Sequence, residues 1–396
     1  MKMMVVFQTQ KKQFFFDYLL AYLYLCNRIE SNNNAESMQM TLKTSFKMKK
    51  ISILLIAFFF VNANAFAQKK FAAYGVGFYN LENLFDLTHD EGKNDYEFLP
   101  EGSYRWNELK YSHKLHNMAR VLSELGTDVL PGVGCAIIGV SEVENAHCLD
   151  DLVAQPELAA RGYKYTHIEG PDQRGVDCAM LYNPAFFEVE DVTLHPYVYE
   201  LEEDIAKNRA TRGFLTTKGK LAGEPVAVIV CHLPSRFAGS YYRELGARQA
   251  KVVVDKILAE EPHRRIFVMG DMNDDPTNKS MTEGFRCKSE IDQVGPTDMY
   301  NPWYNILVKH GKGTLMYDGA WNLFDQIIMS ENLLNKNGQK DFSTLKFWKN
   351  EIFRRDYLFQ TEGKYKGSPK RTTAGGVWLD GYSDHLPVVV YLAKEK

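Results

Sequence analysis

The residues best suited to phosphate chemistry come directly after predicted strands. Asp271 and Asn273 follow the apolar run 266–269 and a glycine, and their spacing of two lets both side chains project to one side. A carboxylate that aligns a water molecule, beside an amide that holds a phosphate, forms a unit for in-line hydrolysis. The alternative is an Asx-rich turn, of which Asp274 and Asp275 are the natural members.

Two histidines at the ends of other apolar segments offer acid–base chemistry. His232 ends the run 226–231 and precedes a proline turn. Such a histidine is more often structural, and its chemistry would be to donate to a phosphoryl or leaving-group oxygen. His385 follows Asp384 in a Ser-Asp-His-x-Pro run, the most specific short motif of the chain. Asp325 stands in an apolar segment and needs a partner when buried, which His385 can supply.

Hard oxygen ligands suited to Mg²⁺ stand at the ends of two further strand-like runs. Asn80 and Glu82 have period-two spacing and can face the same side, although a turn explains an Asn-rich strand end equally well. Glu142 closes a buried run, where it is either a metal ligand or a solvated edge charge. Arg174 precedes a glycine and could hold a phosphate oxygen, with an ordinary surface arginine as the alternative.

Seven apolar runs predict the strands that carry these residues, and two amphipathic stretches predict helices. The predicted strands are 74–79, 136–140, 177–182, 226–231, 266–269, 326–329 and 388–391. The predicted helices are 109–125 and 243–260. Mixed strands and helices over ~330 residues indicate an α/β layered domain. The polar, Lys-rich stretch 331–375 is predicted to be a loop-rich insertion.

The N-terminal region has the pattern of a secretory signal. Lys49 and Lys50 precede the apolar run 51–61, and an Ala-x-Ala pattern ends at Ala67. The run is shorter than the ~18 apolar residues that a spanning helix needs. We therefore predict cleavage after Ala67, with Gln68 as the first residue of the mature chain.

Residues 1–47 are interpreted as an upstream extension, because Met48 is a natural start for a signal peptide at 48–67. The alternative is a second membrane segment, which Asp17 within its apolar stretch disfavours. The remaining residues 68–396 are predicted to form a single catalytic domain, because motifs spread over nearly all of it must converge. The protein is predicted to be exported, periplasmic or secreted, with no transmembrane segment in the mature chain.

Charge and composition exclude several classes of protein. Residues 1–67 hold 8 of the 47 basic and 3 of the 50 acidic residues, so the rest has a net charge of −8. This is not the basic footprint of a protein that binds nucleic acid by charge alone, although a bound metal supplies local positive charge. The five remaining cysteines leave at least one unpaired and lack the spacing of a zinc site. Nucleotide-driven and serine-hydrolase motifs are absent.

In this order the motifs resemble the endonuclease/exonuclease/phosphatase superfamily, which has the deoxyribonuclease-I-like fold. The matching runs, between residues 74 and 391, are FYNLEN, GVSEVEN, RGVDCAMLY, VCHLPS, MGDMNDDP, LFDQIIMS and GYSDHLPV. NLENLFD with SEVEN and RGVD looks like the secreted, nuclease-like bacterial branch, although Ser141 stands where glutamine is more usual. The resemblance implies a four-layer α/β sandwich, with two mixed β-sheets packed face to face, helices outside, and the site at one end of the sheets.

The resemblance also implies a metal site. Glu142, with Asn80 and Asp384, would lie at a Mg²⁺ ion, for which Mn²⁺ or Ca²⁺ are alternatives. Glu82 would be a further carboxylate beside it. The metal would neutralise charge in the transition state of a phosphoester hydrolysis.

The catalytic roles follow from the same resemblance. Asp271 would orient or deprotonate the attacking water, and Asn273, with Arg174, would hold the phosphate. His232 and His385, the latter paired with Asp325, would flank the scissile phosphate. They would stabilise its developing charge or protonate the leaving oxygen.

The predicted function is an exported metal-dependent phosphodiesterase, with nucleic acid as substrate and without a stable protein partner. The net charge of −8 favours a small substrate or a lipid headgroup, while the branch resemblance favours nucleic acid. An inositol phosphate phosphatase and a sphingomyelinase-like enzyme therefore stay open. A binding module that kept the fold without activity is a further alternative.

Overall fold

The computed structural model describes residues 70–198 and 211–396, which fall within one compact unit, Lys70–Lys396. The predicted upstream extension and signal peptide, 1–67, lie outside the described residues, so both stay predictions. In the part of the chain that the structure describes, no helix combines the length and the apolar character needed to cross a bilayer.

Two β-sheets form the centre of the fold. The strands are β1 (Phe71–Leu84), β2 (Cys135–Val143), β3 (Lys164–His167), β4 (Asp177–Tyr182), β5 (Phe187–His195), β6 (Phe214–Leu221), β7 (Glu224–His232), β8 (Arg265–Asp271), β9 (Cys287–Lys288), β10 (Met299–Tyr300), β11 (Leu315–Tyr317), β12 (Ala320–Asn322), β13 (Asp325–Ser330), β14 (Lys346–Ile352), β15 (Thr373–Ala374), β16 (Val377–Trp378) and β17 (Val388–Glu395). The first sheet has the order β14-β17-β1-β2-β4-β3, and the second β5-β6-β7-β8-β13-β10-β9. Both are mixed, since β1 and β2, and β7 and β8, run parallel while their other neighbours run antiparallel.

Among the described residues, four helices cover the outer faces of the two sheets, and a fifth, short helix packs against the apolar cluster between them. They are α1 (Glu108–Glu124), α2 (Ala146–Ala154), α3 (Pro156–Ala159), α4 (Ser240–Glu260) and α5 (Tyr304–His310). Short 3₁₀ or π turns occupy Tyr96–Phe98, Arg236–Ala238, Ser280–Gly284, Ile291–Gln293, Glu331–Leu333 and Asp356–Leu358. Leu122 of α1 belongs to one buried cluster with Ile138 of the first sheet, and Val254 of α4 to another with Val268 of the second.

A third apolar cluster fills the space between the sheets. It includes Phe78 and Met180 of the first sheet and Val228 and Met269 of the second. The sheets approach so closely at Gly139 that an added Cβ would lie 2.5 Å from the Met269 sulfur. The order helix, sheet, sheet, helix confirms the predicted four-layer α/β sandwich of the deoxyribonuclease-I type.

The predicted elements are all present, with small shifts at their ends. The seven predicted strands lie within β1, β2, β4, β7, β8, β13 and β17, and the two predicted helices coincide with α1 and α4. The prediction that 331–375 is loop-rich was wrong for Lys346–Ile352, because β14 extends the first sheet by pairing with β17. Its residues are half-buried and mix polar with aromatic types, so this edge strand has no continuous apolar run to reveal it.

Strand register brings the polar motifs to one end of the sandwich. In the first sheet, Asn80 stands opposite Ser141, the residue before Glu142. In the second sheet, Asp271 stands opposite His232 on one side and opposite Asp325 on the other. The side chains of Asn80 and Asp271, 191 positions apart in the chain, therefore come within hydrogen-bond distance.

Candidate active site

Glu142 lies in an irregular turn of the backbone at the end of β2. The register between β2 and β4 shifts between Ser141 and Val143, and Glu142 itself has φ of +61°. A bulge of this kind changes the direction in which a side chain points. The Glu142 carboxylate accepts hydrogen bonds from Asn80 Nδ2 (3.3 Å, to Oε1) and from the backbone N of Asn83 (3.1 Å, to Oε2).

Left-handed backbone conformations are concentrated around this pocket. Glu82, Asn83, Glu142 and Asn273 have φ values of +50°, +56°, +61° and +50°. Such conformations are uncommon for residues other than glycine, and they persist where the surrounding structure holds them in place. All four are at strand ends that carry predicted functional residues, which is where strained backbone is most often functional.

Asp271 lies at the centre of the pocket. Its Oδ2 accepts from Asn80 Nδ2 (3.0 Å), and its Oδ1 accepts from the backbone N of Asn273 (2.9 Å). The same Oδ2 is 3.7 Å from Nε2 of both His232 and His385. Burial raises the pKa of Asp271 to about 7, against the opposing charge of His385. The carboxyl can therefore exchange a proton near neutral pH.

His385 is held by a buried carboxylate. Its Nδ1 lies 2.7 Å from Oδ2 of Asp325, which is fully buried at the start of β13. Burial disfavours the imidazolium, but the charges of Asp325 and Asp271 outweigh burial and raise the pKa of His385 well above its usual value. The ring is therefore protonated at neutral pH, as a general acid requires.

His232 has the opposite electrostatic environment. Burial and the positive charges of Arg212 and Arg174 lower its pKa well below the usual value, so its ring is neutral at physiological pH. Its Nδ1 has no hydrogen-bond partner among the described residues, and its Nε2 is 3.8 Å from Glu142 Oε1. Two imidazoles with pKa values moved in opposite directions suit two different tasks.

The predicted phosphate-binding residues lie on two loops at the pocket. The side-chain Nδ2 of Asn273 donates to the backbone O of Leu233 (2.9 Å), which fixes Asn273 next to His232. Arg174 donates through Nη2 to Asn83 Oδ1 (2.6 Å), and Asn83 in turn contacts Glu142. Arg174 is therefore one residue removed from the acidic cluster.

Glu82 and Asp384, both predicted near a metal, pair with the same arginine side chain, which the sequence analysis did not identify. Arg371 contacts Glu82 Oε1 through Nε (3.1 Å) and Asp384 Oδ2 through Nη2 (3.0 Å). The other Glu82 oxygen accepts from the backbone N of Thr372 (2.7 Å). Burial and the charge of Asp384 raise the pKa of Glu82 to about 7.

A second positively charged side chain that the sequence analysis missed lies next to this pair. Lys114 of α1 is buried and donates to Thr372 Oγ1 (2.5 Å) and to the backbone O of Tyr382 (2.7 Å). Burial lowers its pKa to about 8, against the opposing charge of Glu82. A lysine among the buried positions of an amphipathic helix is a signal that sequence reasoning could have used.

The acidic pocket suits a hard divalent cation. Ligand atoms of Glu142, His232 and Asp271 lie within 4.8 Å of one another. Carboxylate oxygens predominate, as Mg²⁺, Mn²⁺ and Ca²⁺ require. Asn80 differs from the prediction in one respect, because its Oδ1 accepts from the backbone N of Glu82 (2.8 Å) and its NH₂ group faces the acids. In this arrangement Asn80 positions the carboxylates.

The structure brings all the predicted site residues to one end of the sandwich, with Arg174 at the rim. Direct contacts or neighbouring positions link Asn80, Glu82, Glu142, His232, Asp271, Asn273, Asp325, Asp384 and His385. Their individual roles stay predictions. The set can activate a water, donate a proton and hold a cation beside one phosphate.

Comparison with known proteins agrees with this picture. Residues 75–394 match the model of the Endonuclease/Exonuclease/phosphatase family. No curated protein matches the chain.

Solved structures of similar fold come from bacteria and from human. An endonuclease/exonuclease/phosphatase family protein from Bacteroides thetaiotaomicron is 14% identical, with 83% of this chain and 97% of that chain covered and a TM-score of 0.49. A mannosyl-6-phosphatase from the same organism is 16% identical, with 81% and 99% covered and a TM-score of 0.48. The human nocturnin catalytic domain is 15% identical, with 82% and 97% covered and a TM-score of 0.46.

Proposed function

The chain belongs to the endonuclease/exonuclease/phosphatase family, whose members are metal-dependent hydrolases of phosphoester bonds, and from this premise we propose that it is an exported, Mg²⁺-dependent nuclease. The observation that carries the proposal is the position of Asp271, whose Oδ2 lies 3.7 Å from Nε2 of both His232 and His385. A base between two imidazoles of different charge is suited to in-line cleavage of a phosphodiester.

Asp271 is the base in the proposed reaction. Its carboxylate orients a water molecule and accepts a proton from it as the oxygen attacks phosphorus. Hydrogen bonds from Asn80 and from the backbone N of Asn273 hold the carboxylate in place. Its pKa of about 7 makes both the ionised form and the protonated product accessible near neutral pH.

The two histidines act on the leaving oxygen and on the phosphoryl oxygens. His385, held protonated by Asp325, donates its Nε2 proton to the leaving oxygen when the P–O bond breaks. His232 is neutral and donates a hydrogen bond to a phosphoryl oxygen. Donors fixed in advance at such positions each typically contribute ~10²–10³ in rate.

A divalent ion would supply neutralisation of the charge that develops on the phosphoryl oxygens. Glu142 and Asp384 would hold it, with Asn80 positioning the Glu142 carboxylate through its NH₂ group. The choice of Mg²⁺ follows the carboxylate-rich donor set, for which Mn²⁺ and Ca²⁺ are the alternatives.

Two exposed aromatic rings beside the pocket support a nucleic acid substrate. Phe237 is fully exposed, and its neighbour Arg236 donates through Nε to the backbone O of Asn273 (3.3 Å). Tyr317 is 75% exposed on the β11–β12 hairpin, whose Leu315 forms a β-bridge with His385. Both rings therefore lie on segments that contact predicted site residues, and unpaired bases could stack on them.

The net charge of −8 outside residues 1–67 favours single strands over duplex DNA. Binding to a duplex rests mainly on phosphate contacts, whereas stacking on aromatic side chains gives ~1–3 kcal/mol per base without further basic residues. The same net charge favours the second candidate, a phosphatase or phosphodiesterase for inositol phosphates or lipid headgroups.

A substrate panel tests the proposal. Purified protein is assayed with Mg²⁺ on single- and double-stranded DNA, RNA, sphingomyelin, inositol phosphates and bis-p-nitrophenyl phosphate, each with and without EDTA. We expect EDTA-sensitive cleavage of bis-p-nitrophenyl phosphate and of nucleic acid, with single strands preferred. Turnover of only inositol phosphates or sphingomyelin would replace the nuclease proposal by the second candidate, and no turnover at all would favour an inactive binding module.

Export requires its own test. Expression of the full chain in a bacterial host, followed by N-terminal sequencing of the protein outside the cytoplasm, should give a chain that starts at Gln68. Retention of uncleaved protein in the cytoplasm would contradict export.

A further inference from the structure

Arg236 lies next to Asn273, and every nitrogen of its guanidinium is bonded to the protein. Nε donates to the backbone O of Asn273 (3.3 Å), Nη1 to Asn322 Oδ1 (3.1 Å) and Nη2 to Asp275 Oδ2 (2.9 Å). The acceptors belong to the loop after β8 and to the β11–β12 hairpin. Because the guanidinium is a rigid planar fork, three such bonds fix its plane in one orientation.

An aromatic ring covers one face of this plane. The Cζ of Arg236 lies 4.4 Å from the ring centroid of Phe324, which is buried. Phe324 directly precedes Asp325, the partner of His385. The Arg236 side chain is nevertheless 44% exposed, and since its nitrogens are bonded and one face lies on a ring, the exposed part includes the opposite face. This open face is therefore next to Asn273 and close to the Asp325–His385 pair.

The charge of Arg236 is already balanced by the protein. Asp275 Oδ2 is 2.9 Å from Nη2, and Asp274 Oδ1 is 3.9 Å from Nε. A guanidinium that is paired in this way attracts an incoming phosphate less than a free one. Its open face, in contrast, can stack on a planar ring, as guanidinium groups do on aromatic side chains and on unpaired nucleobases. The contacts of Arg236 thus favour recognition of a base over recognition of a phosphate.

We propose that the open face of Arg236 binds the nucleobase next to the scissile phosphate, so that the base, the guanidinium and the ring of Phe324 form one stack. The inference rests on the proposed nuclease function and deepens it by naming a specificity-determining residue. Inositol phosphates and sphingomyelin have no planar base and would not gain this contact. Because every base has a π-face, stacking at Arg236 accepts all four bases.

Small esters with one defined scissile bond test the assignment. The substrates are the p-nitrophenyl phosphate esters of thymidine, at the 3′ or the 5′ oxygen, and the matching esters of 1,2-dideoxyribose, which lacks the base. With Mg²⁺, the wild-type protein should have a kcat/KM about 5–100-fold higher for the better thymidine ester than for its base-free counterpart, the equivalent of one stacked base.

The ratio of these two kcat/KM values separates stacking from a merely structural role. In Arg236→Gln the ratio should fall toward unity, because the planar cation is lost, whereas general damage to the site would lower both values and keep the ratio. Arg236→Lys keeps the charge without the planar group, and its ratio should fall in the same way. A ratio that lysine preserves would show that charge selects the substrate, and would overturn the inference.

The matched control is Arg355→Gln. Arg355 also lies over a ring, that of Phe353 (4.2 Å), and it pairs with Asp128, a residue outside the predicted site. Its ratio should equal that of the wild type.

A wild-type ratio near unity for both thymidine esters, or a wild-type ratio in a folded Arg236→Gln protein, would also overturn the inference and leave the phosphodiesterase activity in place. If thermal melting shows that the glutamine protein is not folded, the lysine protein takes its place. Absence of hydrolysis of all the esters would refute the proposed function itself.

Discussion

The imidazole Nδ1 of His385 lies 2.7 Å from the Oδ2 of Asp325, in a buried pair that joins the segment before β17 to β13. The second oxygen of Asp325 has no hydrogen-bond partner among the described residues. The pair fixes the ring orientation and leaves Nε2 directed toward Asp271, 3.7 Å away. A proton on Nε2 is therefore available at the centre of the pocket.

Loss of the His385 imidazole should nearly abolish turnover. We expect His385→Ala to lower kcat on bis-p-nitrophenyl phosphate by about 10²–10⁴-fold, the usual contribution of a general acid or base. His116→Ala serves as control, because His116 is 59% exposed and pairs with Glu157 at the surface. Near-normal activity in a folded His385→Ala protein would remove the residue from the mechanism.

The pH dependence of kcat/KM should reflect two ionisable groups, one of which must be deprotonated and the other protonated. Asp271 must be ionised, and burial raises its pKa to about 7, so the rate should rise as pH increases through neutrality. His385 must be protonated, and its pKa is raised well above the usual value, so the rate should fall only at higher pH. In Asp325→Asn the charge that raises the His385 pKa is lost, and we expect the descending limb to move to lower pH.

The measurement is a pair of pH–rate profiles at saturating metal for the wild type and Asp325→Asn. An unchanged descending limb in the variant would show that another group is the acid. The ascending limb is not a control, because the charge of Asp325 also raises the pKa of Asp271; the surface variant His116→Ala should keep both limbs.

The sequence predicted the central sheets because their strands are buried on both faces and appear as continuous apolar runs. It predicted the position of Glu142, Asp271 and His385 for the same reason, since Glu142 and Asp271 each end such a run and His385 directly precedes one. It could not predict that Glu142 sits on a bulge with positive φ, because this conformation depends on neighbouring strands.

Residues that act from loops were harder to foresee. Arg371 lies in a polar stretch with many basic residues, and nothing in its local pattern separates it from solvated neighbours. The opposite pKa shifts of His232 and His385 also depend on partners distant in sequence, such as Arg212 and Asp325. Local pattern gives the element and the residue type, whereas partners come only with the tertiary fold.

The exposed ring of Phe237 should contribute to binding of single strands. We expect Phe237→Ala to raise KM for a single-stranded oligonucleotide by about 5–100-fold, the equivalent of one stacked base. KM for bis-p-nitrophenyl phosphate should change much less, because that substrate lacks a neighbouring base. Trp348→Ala, which removes a 52% exposed ring from β14, is the matched control. Equal effects of the two variants on the oligonucleotide would contradict a stacking role.

The metal-free protein should lose stability as pH rises through neutrality. Burial raises the pKa of both Glu82 and Asp271 to about 7, from ordinary values near 4, so the folded state binds more protons than the unfolded state between these limits. Stability therefore falls with pH in this window and is greatest below it. In EDTA, Tm should drop between pH 5 and 8, whereas Mg²⁺, which binds the ionised carboxylates of the folded state, should reduce the drop.

The slope of Tm against pH separates this cause from a general effect of charge. Glu82→Gln removes one of the groups that titrate in this window but keeps an acceptor for the Thr372 backbone N, so its slope in EDTA should be shallower than that of the wild type. Glu362→Gln makes the same substitution at an exposed glutamate and should leave the slope unaltered. If Tm in EDTA rises from pH 5 to 8, charges other than a metal stabilise the ionised carboxylates in the folded protein. The acidic pocket then has no excess negative charge for a cation to neutralise.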